Sequence, residues 1–175
     1  MNETTSNPTA QNSAAPNQNG RKPSVLIADD EEMVITSIRA FLQLDDDFEI
    51  HGFTDPEEAA AFAANNVVDV AISDYLMPKM NGIQLLGKIK ETQPEASRVL
   101  LTGHADKQSA IQAINQVALF QYLEKPWDNQ QLLLVIQSGA ERSKLFRDLR
   151  EKVGELDSAH SSLKNVQRRL IQAFL

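Results

Sequence analysis

Four short apolar runs in this chain each end at charged or hydroxyl-bearing residues, and this pattern constrains the fold more than any other feature. The runs and the polar residues that follow them are 25–28 with Asp29 and Asp30, 70–73 with Asp74, 99–101 with Thr102, and 120–124 with Lys125. Short runs of this kind are typical of buried parallel strands whose carboxyl ends open on a binding crevice. The sequence therefore brings three acids, one hydroxyl and one amine to one edge of a sheet.

Segments with helical periodicity or helix-start signals separate these runs. Asp55 and Pro56 suit the N-cap and first position of one such helix. A further strand is predicted over 49–53, and helices over 32–44, 56–65, 82–91, 107–116 and from 128 onward. Alternating strands and helices predict an α/β, doubly wound, five-stranded parallel sheet with the flavodoxin-like order 2-1-3-4-5. The acids fall at the switch point between strands one and three, where such folds bind ligands.

The acidic trio predicts a metal site. Three carboxylates held close together raise one another's pKa values unless a cation intervenes. Oxygen ligands, with no Cys or His among the strand-end residues, favour Mg²⁺ or Mn²⁺ over zinc. A carboxylate nucleophile, a metal, an amine and a hydroxyl together favour phosphoryl transfer, in which an acyl phosphate forms and its oxygens are held by the other groups.

The same residues carry a family resemblance. The chain resembles the receiver domain of bacterial two-component response regulators over roughly 24–140, in the family's order. The matching motifs are ADDE at 28–31, DYLMPKMNG at 74–82, LTGH at 101–104 and YLEKPW at 122–127. The resemblance implies that this is a regulatory phosphoacceptor rather than an enzyme with its own substrate, limited to self-phosphorylation from a phosphodonor and slow self-dephosphorylation.

The resemblance also implies roles for individual residues. Asp74 would accept a phosphoryl group from a histidine kinase or phosphotransfer protein. Asp29, Asp30 and Asp74 would bind Mg²⁺, with the backbone carbonyl of Leu76 as a further ligand. Thr102 and Lys125 would contact the phosphoryl oxygens, and Tyr122 would be an aromatic switch that moves with Thr102.

Each role has a structural alternative. Asp29 suits a helix N-cap, and Asp30 suits the first turn of a helix, where acids are common. Asp74 could open a turn, Thr102 could be an ordinary strand residue, and Tyr122 could be a core residue with its hydroxyl at the surface. The convergence of the acids at the predicted switch point favours function for the trio as a set.

Composition narrows the remaining functions. The net charge of −7 argues against direct nucleic-acid binding, and the absence of cysteine excludes disulfides and thiolate metal sites. No apolar stretch is long enough to cross a membrane, and the N-terminus lacks an apolar signal core, so we expect a cytoplasmic protein. Residues 1–23 contain no aromatic or branched aliphatic residue, which predicts a disordered tail.

The last predicted helix continues past the receiver-like region as a heptad pattern. Its leucines recur every seven residues, and a second apolar line contains one lysine, Lys152. The predicted contact residues are Leu145, Leu149, Leu156, Leu163, Val166 and Leu170. This pattern predicts a coiled coil over 141–175, most simply a parallel homodimer; the alternative is a helix folded back on its own domain.

We therefore expect a receiver that relays phosphorylation of Asp74 through a dimeric C-terminal helix to an output domain or partner. Two alternatives remain open. A metal-dependent phosphohydrolase with an Asp nucleophile is one, although that class places its two acids two positions apart after the first strand, whereas Asp29 and Asp30 are adjacent. A dimerisation scaffold that is never phosphorylated is the other.

Overall fold

The computed structural model describes residues 21–44, 47–103 and 117–173. Its elements are β1 (Ser24–Ala28), α1 (Glu32–Leu42), β2 (Glu49–Phe53), α2 (Pro56–Asn65), β3 (Val70–Asp74), α3 (Gly82–Thr92), β4 (Ser97–Thr102), β5 (Gln121–Glu124) and α4 (Asn129–Ala173). The predicted helix over 107–116 lies outside the described residues, as do the first 20 residues of the predicted tail.

The strands form one parallel sheet in the order β2-β1-β3-β4-β5, which confirms the predicted topology. Successive residues of β1 alternate between its two faces because the side-chain period of a strand is two. Val25 and Ile27 pack with α1 and α4, whereas Leu26 and Ala28 pack with α2 and α3. Helices therefore cover both faces, and the central strands are buried along their whole length.

Local sequence signals explain where the helices begin. The side chain of Asp55 accepts a hydrogen bond from the Glu57 amide at 2.8 Å, which confirms its predicted N-cap role at α2. At α3, Asn81 and Gln84 form a reciprocal capping box. In α1 the most buried side chains are those of Ile35, Ile38 and Leu42, whereas Val34 is only partly buried.

The long helix α4 is anchored to the amino edge of the sheet by a buried polar network. The Ser143 hydroxyl donates to the Asp69 carbonyl at 2.6 Å and accepts from the Ser97 amide at 3.0 Å. The Asp69 side chain binds Arg147 and also accepts from the Ser24 amide at 2.7 Å. Ser24 and Ser97 are the first residues of β1 and β4, and Asp69 directly precedes β3. The network therefore lies at the edge of the sheet opposite the strand-end acids.

Further contacts mark both ends of this anchored region. Arg21 forms an ion pair with Asp69, so ordered contacts begin two residues before the predicted end of the tail. Arg150 forms an ion pair with Glu95. Beyond Arg150, every α4 residue from 151 to 170 is exposed. Among the described residues, no helix is both long enough and apolar enough to span a membrane.

Candidate metal and phosphoryl site

The pairing of β1 with β3 brings the acids together. Ala28 pairs with Ser73, so the residues that follow them, Asp29 and Asp74, leave neighbouring strands at the same level. One ligand oxygen from each of Asp29, Asp30 and Asp74 lies within 4.8 Å of the others. Asp29 and Asp74 are buried, whereas Asp30 is exposed. The three predicted acids therefore form one cluster at the carboxyl edge of the sheet.

Lys125 joins the two buried carboxylates. Its ammonium nitrogen lies 2.8 Å from Oδ2 of Asp29 and 2.8 Å from Oδ1 of Asp74. Lys125 reaches them because it follows β5, and its amide donates to the Thr102 carbonyl at 2.8 Å. Its peptide bond to Pro126 is cis. The one cation predicted for this edge thus lies against the residue predicted to be phosphorylated.

Burial and charge act against each other at this pair. Burial raises the pKa of Asp29 above its ordinary value, and the hydrogen bond from Lys125 offsets only part of that rise. Burial alone would lower the pKa of Lys125, but hydrogen bonds to Asp29 and Asp74 outweigh it, so the pKa of Lys125 is raised. Lys125 is therefore held in its charged form between the two carboxylates.

Backbone amides orient the remaining carboxylate oxygens. The amide of Leu76 donates to Oδ2 of Asp74 at 3.0 Å, and the amide of Glu31 donates to Oδ1 of Asp29 at 3.0 Å. Each buried carboxylate is thus held from one side by Lys125 and from the other by an amide. The amide of Leu76 thus lies at the site, whereas its side chain is exposed to solvent.

The cluster fits a divalent cation. Three carboxylates and one ammonium leave a formal charge of −2, which a single Mg²⁺ ion would neutralise. The donors are oxygen atoms, as hard cations prefer, and exposed Asp30 leaves the cluster open to water on one side. When bound, Mg²⁺ would be held by Asp29, Asp30 and Asp74 and would neutralise charge on a transferring phosphoryl group.

Thr102 and Tyr122 occupy the neighbouring strands. Thr102 ends β4 and is fully buried, and its hydroxyl donates to the Gly103 carbonyl at 3.1 Å. Tyr122 lies on β5, where it pairs with Leu100 of β4. It is half-buried and packs against the core on the side of the sheet that α2 and α3 cover. The structure places Thr102 at the same edge as the acids, and it places Tyr122 two residues further from that edge.

Gly82 makes a close approach behind the site that was not predicted from the sequence. A Cβ atom added to Gly82 would lie 2.1 Å from the Asp74 carbonyl oxygen and 2.9 Å from the Ser73 hydroxyl oxygen. The Ser73 hydroxyl itself donates to the Asp74 carbonyl at 3.0 Å. Gly82 therefore lets the start of α3 pack directly on the backbone of Asp74. The Asn81 and Gln84 capping pattern was the available signal, because it fixes the residue at which α3 begins.

Comparison with known proteins identifies the family. The sequence profile of the response regulator receiver domain matches residues 25–137, more than half of the 175-residue chain. The chain belongs to the response regulator receiver family. Response regulators are phosphorylated by histidine kinases and act with output domains. Receivers bind Mg²⁺ at an acidic pocket, which corresponds to the cluster of Asp29, Asp30 and Asp74 in this one.

Three relatives illustrate the match. The hydrogenase transcriptional regulatory protein HoxA of Cupriavidus necator is 28% identical over 129 residues, which cover 74% of this chain and 26% of HoxA. The signal receiver domain of an HD domain-containing protein from Pseudomonas fluorescens is 33% identical, with a TM-score of 0.66 over 70% of this chain and 98% of that one. A receiver domain protein from Clostridium thermocellum is 34% identical, with a TM-score of 0.65 over 71% and 98%. This receiver therefore spans about a quarter of the length of HoxA.

The predicted contact residues of the coiled coil lie on the outer face of α4. They are exposed by more than half of their surface, from 54% for Val166 to 69% for Leu156: Leu145, Leu149, Leu156, Leu163, Val166 and Leu170. Ser143 and Arg147, which bind the sheet, each precede one of these leucines by two residues and so point about 200° away. The helix does not fold back on the receiver within the described residues, so this apolar face is open along its length.

Proposed function

We propose that Asp74 is the phosphoacceptor of this receiver and that Asp29, Asp30, Asp74 and the Leu76 carbonyl hold the Mg²⁺ ion that the transfer requires. The observation that carries this proposal is the position of Asp74, which lies within the acidic cluster and beside Lys125. One carboxylate oxygen of Asp74 would attack phosphorus, and the bond from phosphorus to the kinase histidine nitrogen would break. The amide of Leu76 and the ammonium of Lys125 already fix the direction of that carboxylate.

Lys125 and Thr102 would then bind the phosphoryl oxygens. Lys125 now forms ion pairs with both Asp29 and Asp74, so a phosphoryl group on Asp74 offers its ammonium new partners. Thr102 would turn its hydroxyl away from the Gly103 carbonyl towards the phosphoryl group, and Tyr122 would move into the space that this rearrangement opens. These shifts give the receiver two states that differ at the β4 and β5 ends.

Intact-protein mass spectrometry tests the phosphoacceptor. Incubation with acetyl phosphate and Mg²⁺ should add one phosphoryl group to the wild-type chain and none to Asp74→Asn. Asp157→Asn is the matched control, because Asp157 is an exposed aspartate on the outer part of α4. Chelation of Mg²⁺ should stop the addition in all variants. An unchanged mass in the wild type, or an equal addition in Asp74→Asn, would contradict the proposal.

We further propose that α4 carries the change to a second copy of the chain. The helix begins four residues after Lys125 and continues past the amino edge of the sheet, so it links the site to the exposed apolar face. An exposed row of leucines at heptad spacing is stabilised by a second helix of the same kind. The structural unit that moves with the receiver would extend to Arg150, and the dimer would pair the exposed apolar face that runs from Leu145 to Leu170.

Light scattering tests the dimer. The wild-type chain should have the mass of a dimer, and Leu156→Asp should have the mass of a monomer because it places a charge in the apolar face. Ser158→Asp introduces the same charge on another face of the helix and should leave the dimer intact. A wild-type monomer, or equal dissociation of both variants, would rule out pairing through this face.

A further inference from the structure

We infer that Lys152 fixes the register of the helix pair by forming one ionic layer in which the lysines of two parallel, in-register copies lie opposite each other. This inference rests on the proposed homodimer and names its orientation and alignment. Lys152 belongs to the contact face, three residues after Leu149 and four before Leu156. It is the charged residue that interrupts an otherwise apolar face between Leu145 and Leu170.

Lys152 already has its counter-charge on its own helix. Its ammonium lies 2.8 Å from Oε2 of Glu155, and Glu151 and Asp148 also lie close enough to stabilise its charge. A lysine at the edge of a helix contact can direct its ammonium to such carboxylates while its aliphatic stem covers apolar neighbours. Each copy can therefore bring a neutralised lysine to the contact without a charge supplied by the partner.

Each layer of the helix pair consists of one contact residue from each helix, and the favoured alignment is the one with the fewest layers that contain a lysine. In a parallel pair in register, both Lys152 side chains share one layer, and the remaining layers pair identical residues such as Leu149 and Leu156. A slip by one heptad would place one Lys152 against Ala159 and the other against Leu145, which makes two polar layers. An antiparallel pair centred on the apolar segment likewise separates the two lysines. Because a polar residue in a coiled-coil core selects the register that groups it with its equivalent, the in-register parallel pair is favoured.

The amino-terminal end of the same face supports this arrangement. Arg142, one heptad before Leu149, stacks over the Phe120 ring of the receiver at 5.8 Å, so the receiver itself occupies this position. An antiparallel pair centred on Lys152 would have to pack its distal leucines there. The apolar face that a partner helix can contact therefore starts at Leu145 and continues towards the carboxyl end of α4.

Cysteine cross-linking in the full chain tests orientation and register, since the natural sequence has no cysteine. Leu149→Cys and Leu156→Cys should each form a disulfide between identical chains, because equivalent core residues of a parallel pair lie within the distance a disulfide spans. Lys164→Cys, on another face of the helix, should not cross-link. If light scattering shows a dimer but neither core cysteine cross-links, the parallel alignment is wrong.

Mixed dimers test the role of Lys152 itself. When Leu149→Cys and Leu156→Cys chains are co-expressed, a disulfide between the two different chains reports a slip of one heptad. This product should be nearly absent when Lys152 is present and should rise several-fold when both chains also carry Lys152→Leu. Lys164→Leu is the matched control and should leave the product unchanged. Lys152→Leu should also tighten the dimer, on the order of tenfold, because an apolar layer replaces the ionic one.

The outcomes separate this inference from the function on which it rests. An equal amount of slipped disulfide with and without Lys152 would overturn the register role while leaving the dimer in place. A monomeric wild-type chain would overturn the dimer and this inference together. Phosphorylation of Asp74 would remain a separate result in both cases, because the acidic cluster lies at the opposite edge of the sheet from the point where α4 leaves it.

Discussion

At the scale of single residues, the ammonium of Lys125 governs the charge balance of the acidic cluster. It contacts Asp29, which is fully buried, and Asp74, while only 24% of its own side chain is exposed. Without it, the carboxylates of Asp29 and Asp74 would face each other with no other cation of the described residues between them. A Mg²⁺ ion held by the same carboxylates would also supply positive charge to the cluster. The protein cation and the metal are therefore expected to compensate for each other in stability, though not in phosphoryl binding.

Lys125→Met measures that compensation. In chelator we expect the variant to lose about 2 kcal/mol of unfolding free energy, because two poorly solvated carboxylates lose their partner. Excess Mg²⁺ should recover more stability in the variant than in the wild type. Urea unfolding with and without Mg²⁺ gives both values.

Lys79→Met is the matched control for this substitution. Lys79 is 57% exposed and pairs with Asp55 at the surface, so its loss should lower the unfolding free energy far less than the loss of Lys125. The interpretation fails if the two variants lose equal stability in chelator, or if Mg²⁺ stabilises Lys125→Met no more than the wild type.

The sequence predicted the residues of the site better than the residues that support it. Asp29, Asp74 and Lys125 are placed by strand ends, and strand ends can be read from short apolar runs. The roles of Gly82 and Ser143 were not predicted, because they depend on contacts between elements that are distant in sequence, and local periodicity does not encode such contacts. Ser143, for example, binds the Asp69 carbonyl across 74 positions of sequence.

At the scale of elements, α4 shows what periodicity does and does not predict. The heptad pattern predicted a helix that continues beyond the sheet, and the described helix runs without interruption to Ala173. The same pattern gave no sign that Ser143, Arg147 and Arg150 bind the receiver on the other face. Polar residues on the outer face of a predicted coiled coil look solvated from sequence alone, since their partners lie in distant strands.

Gly154 gives a test of the helix itself. Nothing lies within 4 Å of a Cβ atom added at this position, so alanine brings no clash and no new contact. Because glycine is the weaker helix former, Gly154→Ala should stabilise the outer part of α4 by about 0.5–1 kcal/mol. Hydrogen exchange of amides 151–160 should slow accordingly, while exchange in the β-sheet stays unchanged.

Gly52→Ala is a contrasting substitution for Gly154→Ala. An added Cβ atom at Gly52 would lie 2.3 Å from the Ile35 side chain, so this variant should lose stability. Slower exchange throughout the chain in Gly154→Ala, rather than in α4 alone, would contradict a local effect on the helix.

At the scale of the whole molecule, the contacts of α4 define how much chain the receiver needs. Removal of residues 151–175 should leave a monomer that still accepts a phosphoryl group, because every described contact between α4 and the sheet lies at or before Arg150. Removal of residues 141–175 also deletes Ser143 and Arg147, which leaves the Ser97 amide and the Asp69 carboxylate without these partners.

The second truncation should therefore lose about 3 kcal/mol more unfolding free energy than the first. Urea unfolding at low protein concentration measures the difference without a contribution from dimerisation. Equal stability of the two truncated chains would show that the buried polar network contributes little, and the receiver would then end near residue 140.

The stretch of α4 beyond Arg150 acts as a lever. Residues 151–173 extend about 35 Å at the rise of an α-helix, from an end that is fixed to the receiver by ion pairs. A tilt of about 5° at that fixed end would displace the distal end by about 3 Å, given the same helical rise. A rearrangement too small to alter the core of the receiver would thus be enlarged, by leverage alone, to the dimensions of a side chain.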